Sequence, residues 1–165
     1  MHQHSEIEIE FVKKIEKHRG IIHKICYVYA HNNLDKEDLR QEIVLQLWKS
    51  YPSFQGKSEF STWLYRVALN TAITYTKRRS LIIENPENIS NQLSFENNDD
   101  YSEDVKLLYK AISHLSKIEK AIVIMWLEEK SYEEIAATTG ISVKNVSVKL
   151  VRIKKKLAEI IERLQ

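Results

Sequence analysis

The sequence is poor in residues that break helices and in residues that cross-link chains. Its 165 residues include three glycines, two prolines and one cysteine. So few turn-forming residues argue against a turn-rich β fold, and the abundance of Leu, Ile, Lys and Glu favours helices. A single cysteine cannot form an internal disulfide, so we interpret Cys26, which lies in an apolar stretch, as a small core residue. The first expectation is an all-α protein.

Long apolar runs are also missing. No stretch approaches the roughly 20 apolar residues that a membrane-spanning helix needs, and the amino terminus lacks the basic-then-apolar layout of a signal peptide. We therefore expect a cytoplasmic protein with no membrane insertion. His2 and His4 form an HxH pair, but no carboxylate or cysteine cluster completes a ligand set, so we assign no metal and no cofactor.

Positive charge is missing from one central segment. Residues 81–104 hold seven acidic residues and no basic one, a net charge of −7. Residues 1–80 carry 13 Lys and Arg against 9 Asp and Glu, a net +4, and residues 105–165 carry 12 against 7, a net +5. The central segment is rich in Asn and Ser and lacks periodicity, which is typical of a linker. The sequence predicts two small helical domains, 1–80 and 105–165, joined by a flexible acidic linker.

Helical spacing of apolar residues predicts three helices in the first domain. Residues 11–29 repeat on one face and predict one long helix, and residues 35–47 predict a second. After a loop, the segment "FSTWLYRVALNTAITYTKRR" has an apolar side that is predicted to face the core: Phe60, Leu64, Val67 and Thr71. A neighbouring stripe could stack on unpaired bases and neutralise phosphates: Trp63, Arg66, Asn70 and Lys77. The alternative is that Trp63 is a half-buried packing residue and that the basic helix end is solvated and complements the helix dipole.

The second domain carries the signals of a helix-turn-helix. Ser116 and Glu119 predict a capping box, Gly140 is suited to the left-handed turn after "YEEIAATT", and Ser142 is placed to cap the next helix. In that helix the predicted buried stripe is Val146, Leu150, Ile153 and Leu157. Residues 142–157 contain six Lys or Arg and no acid, which fits a helix in a DNA major groove or, alternatively, a solvated basic face.

Three segments in this order resemble bacterial RNA polymerase sigma factors of the extracytoplasmic-function (ECF) class, in the sigma-70 superfamily. They are "DKEDLRQEIVLQLW", "FQGKSEFSTWLYRVALN" and "AISHLSKIEKAIVIMWLEEKSYEEIAATTGISVKNVSVKLVRIKKKL". The resemblance implies a region 2-like bundle and a region 4-like helix-turn-helix. It also implies core RNA polymerase, through its β′ and β subunits, promoter DNA and an anti-sigma factor as partners, and no enzymatic activity.

The resemblance assigns roles to residues of this chain. It implies polymerase binding by Asp35, Asp38, Leu39, Gln41, Glu42, Leu45 and Trp48. It implies recognition and melting of the minus-ten element by Phe54, Lys57, Phe60, Trp63, Arg66, Asn70, Lys77, Arg78 and Arg79. It implies contacts with the minus-thirty-five element by Ser142, Lys144, Asn145, Val148, Lys149, Arg152 and Lys155. The last two are better suited to phosphates than to bases.

Two other functions fit only part of the sequence. A stand-alone helix-turn-helix regulator would not explain the first two segments. An enzyme acting on nucleic acid would need a P-loop, a metal-ligand set or an activated nucleophile, and the sequence shows none of these.

Overall fold

The computed structural model describes residues 2–82 and 101–165. These residues form eight α-helices: α1 His2–Lys17, α2 Arg19–Tyr29, α3 Asn33–Ser50, α4 Phe60–Ile82, α5 Glu103–Ile112, α6 Lys117–Leu127, α7 Tyr132–Thr139 and α8 Val143–Leu164. A short 3-10 turn, Tyr51–Ser53, follows α3. The two described segments contain no strand, and the all-α prediction is confirmed. Most of the predicted linker, residues 83–100, lies outside the described residues.

The first predicted helix is broken at His18, so the prediction of one long helix is wrong. His18 leaves the helical conformation (φ −110°, ψ 15°), and its amide donates to the Lys14 and Ile15 carbonyls at 3.2 and 3.1 Å. The His18 ring Nδ1 also lies 2.8 Å from the Lys14 carbonyl oxygen. A side chain that binds its own backbone competes with the helical ladder. Gly20, two residues on, adds a poor helix former at the break.

Helices α2, α3 and α4 enclose the core of the first half. Leu39, Ile43 and Leu47 are fully buried in it, as their spacing predicts. The buried face of α4 is rotated from the predicted one, because Ala68, Leu69 and Ala72 are buried whereas Val67 and Thr71 are only half-buried. The small alanine side chains let α4 approach its neighbours closely, a property that an apolarity pattern dominated by larger residues does not reveal.

The second half follows its local sequence signals closely. Ser116 and Glu119 form the predicted capping box at the start of α6. Gly140 adopts a left-handed conformation (φ 78°) after α7, and the Ser142 hydroxyl accepts a hydrogen bond from the Asn145 amide at 3.2 Å. The predicted stripe of α8 from Val146 to Leu157 is buried. These agreements arise because each cap or turn depends on residues adjacent in the chain.

The two halves pack against each other, an arrangement that the sequence did not indicate. The Tyr29 hydroxyl of α2 donates to the Lys117 carbonyl at 2.7 Å. Just before α7, the Lys130 ammonium donates to the hydroxyls of Ser61 and Thr62, both at 3.0 Å. The beginning of α4 therefore lies against the helix-turn-helix half.

Candidate functional site

An aromatic cluster surrounds the beginning of α4. The Trp63 ring centroid lies 5.1 Å from that of Phe54 and 5.4 Å from that of Phe60, and Tyr51 stacks on Phe54 at 6.4 Å. All four side chains are half-buried. The cluster fixes the Trp63 ring through these contacts while part of it stays accessible, so it can offer a preformed stacking surface.

The next turns of α4 bear exposed polar side chains. Arg66 and Asn70, four residues apart, share one face and are exposed, as are Lys77 and Arg78 farther along. Asn70 and Arg78 also line a groove of about 360 Å³ between α4 and α3. Most of the residues predicted for the minus-ten element thus lie along the accessible surface of α4 and the loop before it. Lys57 lies on the exposed loop that precedes them.

Arg79 occupies a different environment from Lys77 and Arg78. Its guanidinium forms an ion pair with the carboxylate of Asp35, whose side chain is only 8% exposed. Asn32 donates to the same carboxylate at 3.1 Å. Both partners are therefore engaged within the chain, with Asp35 buried and the Arg79 side chain 40% exposed. The roles predicted for them, polymerase binding for Asp35 and strand contact for Arg79, stay predictions.

The predicted polymerase-binding residues divide between the surface and the core. Asp38, Gln41 and Leu45 are exposed, and Glu42 and Trp48 are half-buried. Leu39 is fully buried, so its place is in the core and not on the contact face. The hydrophobic spacing that identified the helix also identifies Leu39 as a core residue.

Helix α1 extends this surface in a way that the sequence analysis missed. Ile9 and Val12 are exposed apolar residues, at 55% and 56%. Val12 lines a groove of about 510 Å³ with Leu45 and Trp48 of α3. The three-residue spacing of Ile9 and Val12 is the pattern in the sequence that could have predicted a shared apolar helix face here.

Helix α8, the predicted recognition helix, presents its predicted basic face to solvent. Five of the residues predicted for the minus-thirty-five element are exposed side chains: Lys144, Asn145, Val148, Arg152 and Lys155. Lys149 is half-buried, and the Ser142 hydroxyl is used as the helix cap. Two other cations of this helix have partners within the chain: Lys154 lies 4.3 Å from the Trp126 ring centroid, and Lys156 pairs with Glu119 at 3.1 Å. The predicted DNA-binding set and the internally paired lysines are thus different residues.

Neither a metal cluster nor a membrane helix is found in the described parts of the chain. Within residues 2–82 and 101–165, no group of three or more His, Cys, Asp and Glu side chains could hold a metal ion. No helix of these two segments is long and apolar enough to cross a membrane.

A helical bundle with an aromatic and basic surface, followed by a helix-turn-helix, defines a class of nucleic-acid-binding proteins. Residues 15–82 match the family model of sigma-70 region 2, and residues 106–157 match that of sigma-70 region 4. The chain is 31% identical over 150 residues to the ECF RNA polymerase sigma-E factor of Haemophilus influenzae, covering 82% of this chain and 79% of that protein. The chain belongs to the ECF family of RNA polymerase sigma factors.

Other relatives agree with this assignment over different spans. ECF RNA polymerase sigma factor SigG of Mycobacterium tuberculosis is 40% identical over 70 residues, 42% of this chain. The match spans about a fifth of SigG, 19% of its length. The stand-alone regulator is not favoured, because it leaves the region 2 match unexplained.

Two solved structures share the fold. The sigma factor RpoE, in complex with the anti-sigma factor NepR from Bartonella quintana, gives a TM-score of 0.78 at 19% identity, covering 93% of this chain and 97% of that one. CnrH, in complex with the cytosolic domain of CnrY, gives 0.65 at 19% identity, covering 94% and 90%. At these identities the likeness concerns the fold alone.

Proposed function

We propose that this chain binds core RNA polymerase, directs it to specific promoters and helps to melt their minus-ten element. The observation that supports this most is the presence of a region 2 bundle and a region 4 helix-turn-helix in one chain. In this proposal residues 1–80 form the domain that binds polymerase and the minus-ten element. Residues 105–165 form the domain that binds the minus-thirty-five element, and residues 81–104 join the two domains. The chain acts in the cytoplasm and catalyses no covalent chemistry.

The surface of α4 suggests how binding energy opens the duplex. A base that leaves the stack can be held against the accessible part of Trp63, beside the hydrogen-bonding groups of Arg66 and Asn70. Lys77 and Arg78 are placed to neutralise the phosphates of the same strand. Capture of an unpaired base lowers the free energy of the melted state relative to the duplex, so no chemical step is needed.

The exposed face of α8 suits the major groove of the upstream element. Asn145 and Lys149 can hydrogen-bond base edges, and Val148 can contact a thymine methyl group. Lys144 lies in the first turn, where the helix meets the groove. Arg152 and Lys155 lie farther along and supply phosphate contacts.

The exposed residues of α3 and α1 are the proposed protein-binding surface. Asp38, Gln41 and Leu45, with Ile9 and Val12 beside them, combine acidic, polar and apolar groups that suit the β′ subunit of polymerase. The relatives RpoE and CnrH were solved with NepR and with the cytosolic domain of CnrY. By analogy, we propose that an anti-sigma factor binds the present chain. It would compete with polymerase for the exposed surface of α3 and α1.

Run-off transcription from a genomic fragment library tests the proposed function. Purified core polymerase is assayed with and without the chain, and the start sites are sequenced. We expect new start sites that share two spaced upstream elements and appear only with the chain. If no start site depends on the chain and it does not bind core polymerase, the proposed function fails.

Removal of one phosphate contact on α8 gives a quantitative test of DNA binding. For the Arg152→Ala holoenzyme we expect the negative slope of log affinity against log salt concentration to become shallower by about 1, because one fewer counterion is released. Promoter duplexes recovered from the transcription experiment serve as the ligand. The matched control is Arg163→Ala, an exposed arginine in the last turn of α8. An equal change in both variants would contradict the assigned contact.

A further inference from the structure

Helix α1 reaches the aromatic cluster from outside the matched family segment. The region 2 match covers residues 15–82, so most of α1 precedes it. Phe11 packs on Trp48 at 5.0 Å between ring centroids, and His18 packs on Phe60 at 5.1 Å. Phe11 lies on α1, and His18 is the residue that follows the end of this helix. Lys14 lies between them in the sequence, one turn after Phe11.

Lys14 places its ammonium group among three aromatic rings. Its Nζ lies 5.6, 5.6 and 5.4 Å from the ring centroids of Tyr51, Phe54 and Phe60. Glu10, one turn earlier on α1, pairs with the same ammonium at 3.0 Å. The hydrogen bond to Glu10 raises the pKa of Lys14, so the side chain stays charged at neutral pH. Each ring within 6 Å of a cation is attracted to it, so one ammonium holds three rings together.

The three rings border the loop between α3 and α4. Residues 55–59 of this loop are exposed, and Gly56 has a left-handed conformation (φ 70°). Glu59, at the end of the loop, pairs with Lys130 at 3.8 Å. The exposed remainder must be ordered when it binds, and the loss of conformational entropy reduces affinity. Fixing the ring at Phe54 and the ring at Phe60 restrains both ends of the segment before DNA arrives.

We propose that Lys14 is a positioning residue for promoter melting, because it holds Tyr51, Phe54 and Phe60 together and thereby preorganises loop 55–59 for the unpaired minus-ten strand. This inference rests on the proposed function, since it assigns the loop and cluster to single-stranded DNA. Lys14 itself contacts no base. Because Lys14 acts through the three rings, either a lysine or an arginine at this position should provide the restraint.

Hydrogen exchange on the free full-length chain tests the restraint without polymerase or DNA. We expect Lys14→Met to speed exchange of the Phe54 amide, which donates to the Tyr51 carbonyl at 3.0 Å where this loop begins, about fivefold. A fivefold change is the equivalent of losing roughly one cation–π contact. Lys14→Arg, which keeps the cation, should stay within about twofold of wild type. The matched control is Lys13→Met, because Lys13 is an exposed lysine next to Lys14. Its exchange rates should equal those of wild type. Equal exchange in Lys14→Met and wild type would overturn the proposal.

A second measurement separates positioning from simple stability. Holoenzyme affinity for a single-stranded minus-ten oligonucleotide, taken from a promoter found in the transcription experiment, should fall about fivefold for Lys14→Met and recover in Lys14→Arg. Affinity for core polymerase should be unchanged, and the thermal unfolding midpoint should fall by no more than about 2–4 °C. The oligonucleotide affinities are therefore compared at a temperature where both variants are fully folded. Faster exchange with unaltered oligonucleotide affinity would refute the positioning role. If wild type itself binds no oligonucleotide, the proposed function fails, and the exchange result still reports on the restraint.

Discussion

Replacement of Lys120 by methionine is expected to stabilise the protein by about 1–3 kcal/mol at neutral pH. Lys120 lies on α6 and is only 5% exposed. Burial lowers its pKa to about 8, and the nearby Lys117 ammonium adds to this effect. No carboxylate of the described residues offsets the charge of Lys120. A buried unpaired cation costs free energy, and methionine has a similar shape without the charge.

The surroundings of Lys120 explain why this cost is only partly offset. Its Nζ lies 5.1 Å from the Tyr29 ring centroid, a favourable contact that methionine replaces with a sulfur–aromatic one. His31 also faces this group: burial, followed by the Lys120 charge, lowers the pKa of His31. Within the described segments, Lys120 thus lies near an aromatic ring and two bases, and the Asp35 carboxylate acts on His31 in the opposite sense. The net effect of the charge is unfavourable.

The sign of the pH dependence follows from the two pKa values of Lys120. The side chain has a pKa of 10.5 when free and about 8 in the folded chain, so the folded state binds fewer protons between these values. Its destabilising effect is fully present below about pH 8 and is relieved as the pH rises toward 10.5. Wild type should therefore gain stability relative to Lys120→Met as the pH rises from 7.5 to 9.5.

Urea unfolding of both proteins across this pH range provides the measurement. Above pH 10 the buried tyrosines act in the opposite sense, since burial raises the pKa of Tyr27 to about 12, and the comparison must stop below that. Lys13→Met, at an exposed lysine, controls for the substitution and should stay within about 0.5 kcal/mol of wild type. A destabilised Lys120→Met variant, or a difference that does not shrink with pH, would contradict the assignment.

Local signals predicted structure well where neighbours in the chain determine it. The caps at Ser116 and Ser142 and the turn at Gly140 depend on residues within a few positions, and the structure confirms them. The packing of the two halves could not be predicted in this way. Lys130 and Ser61 are 69 residues apart, and no periodicity couples them.

The candidate site shows the same division between local and distant determinants. Exposed faces such as Arg66 with Asn70 follow from helical spacing, because a regular helix places residues four apart on one side. The restraint by Lys14 and the internal pairing of Asp35 with Arg79 depend on tertiary contacts between separate helices. The sequence motif indicates that Asp35 and Arg79 are polar and accessible, whereas the structure pairs the two side chains with each other.

Removal of the Asp35 carboxylate is expected to cost about 2 kcal/mol of unfolding free energy. Asp35→Ala leaves the Arg79 guanidinium without its anionic partner in a partly buried position. The Nε of Arg79 already has no hydrogen-bond partner among the residues that the structure describes. The expected loss is below the range for a fully buried pair because the Arg79 side chain is 40% exposed and water screens it.

A double-mutant cycle in urea unfolding tests this account. The variant Asp35→Ala with Arg79→Met should recover about 1 kcal/mol of the loss, since no unpaired charge remains. Arg78→Met, at an exposed neighbour, is the control and should stay within about 0.5 kcal/mol of wild type. Additive effects of the two single changes would show that the pair contributes nothing.

The same variants separate a structural role of Arg79 from a DNA-binding one. If Arg79 acts through Asp35, the double variant should melt promoters nearly as well as wild type at a temperature where both are folded. Arg78→Met, which removes an exposed cation from the proposed strand-binding face, should instead weaken promoter opening while leaving stability unchanged. Loss of promoter melting in the folded double variant would show that Arg79 contacts the DNA strand. Asp35 would then serve to position the Arg79 guanidinium for that contact.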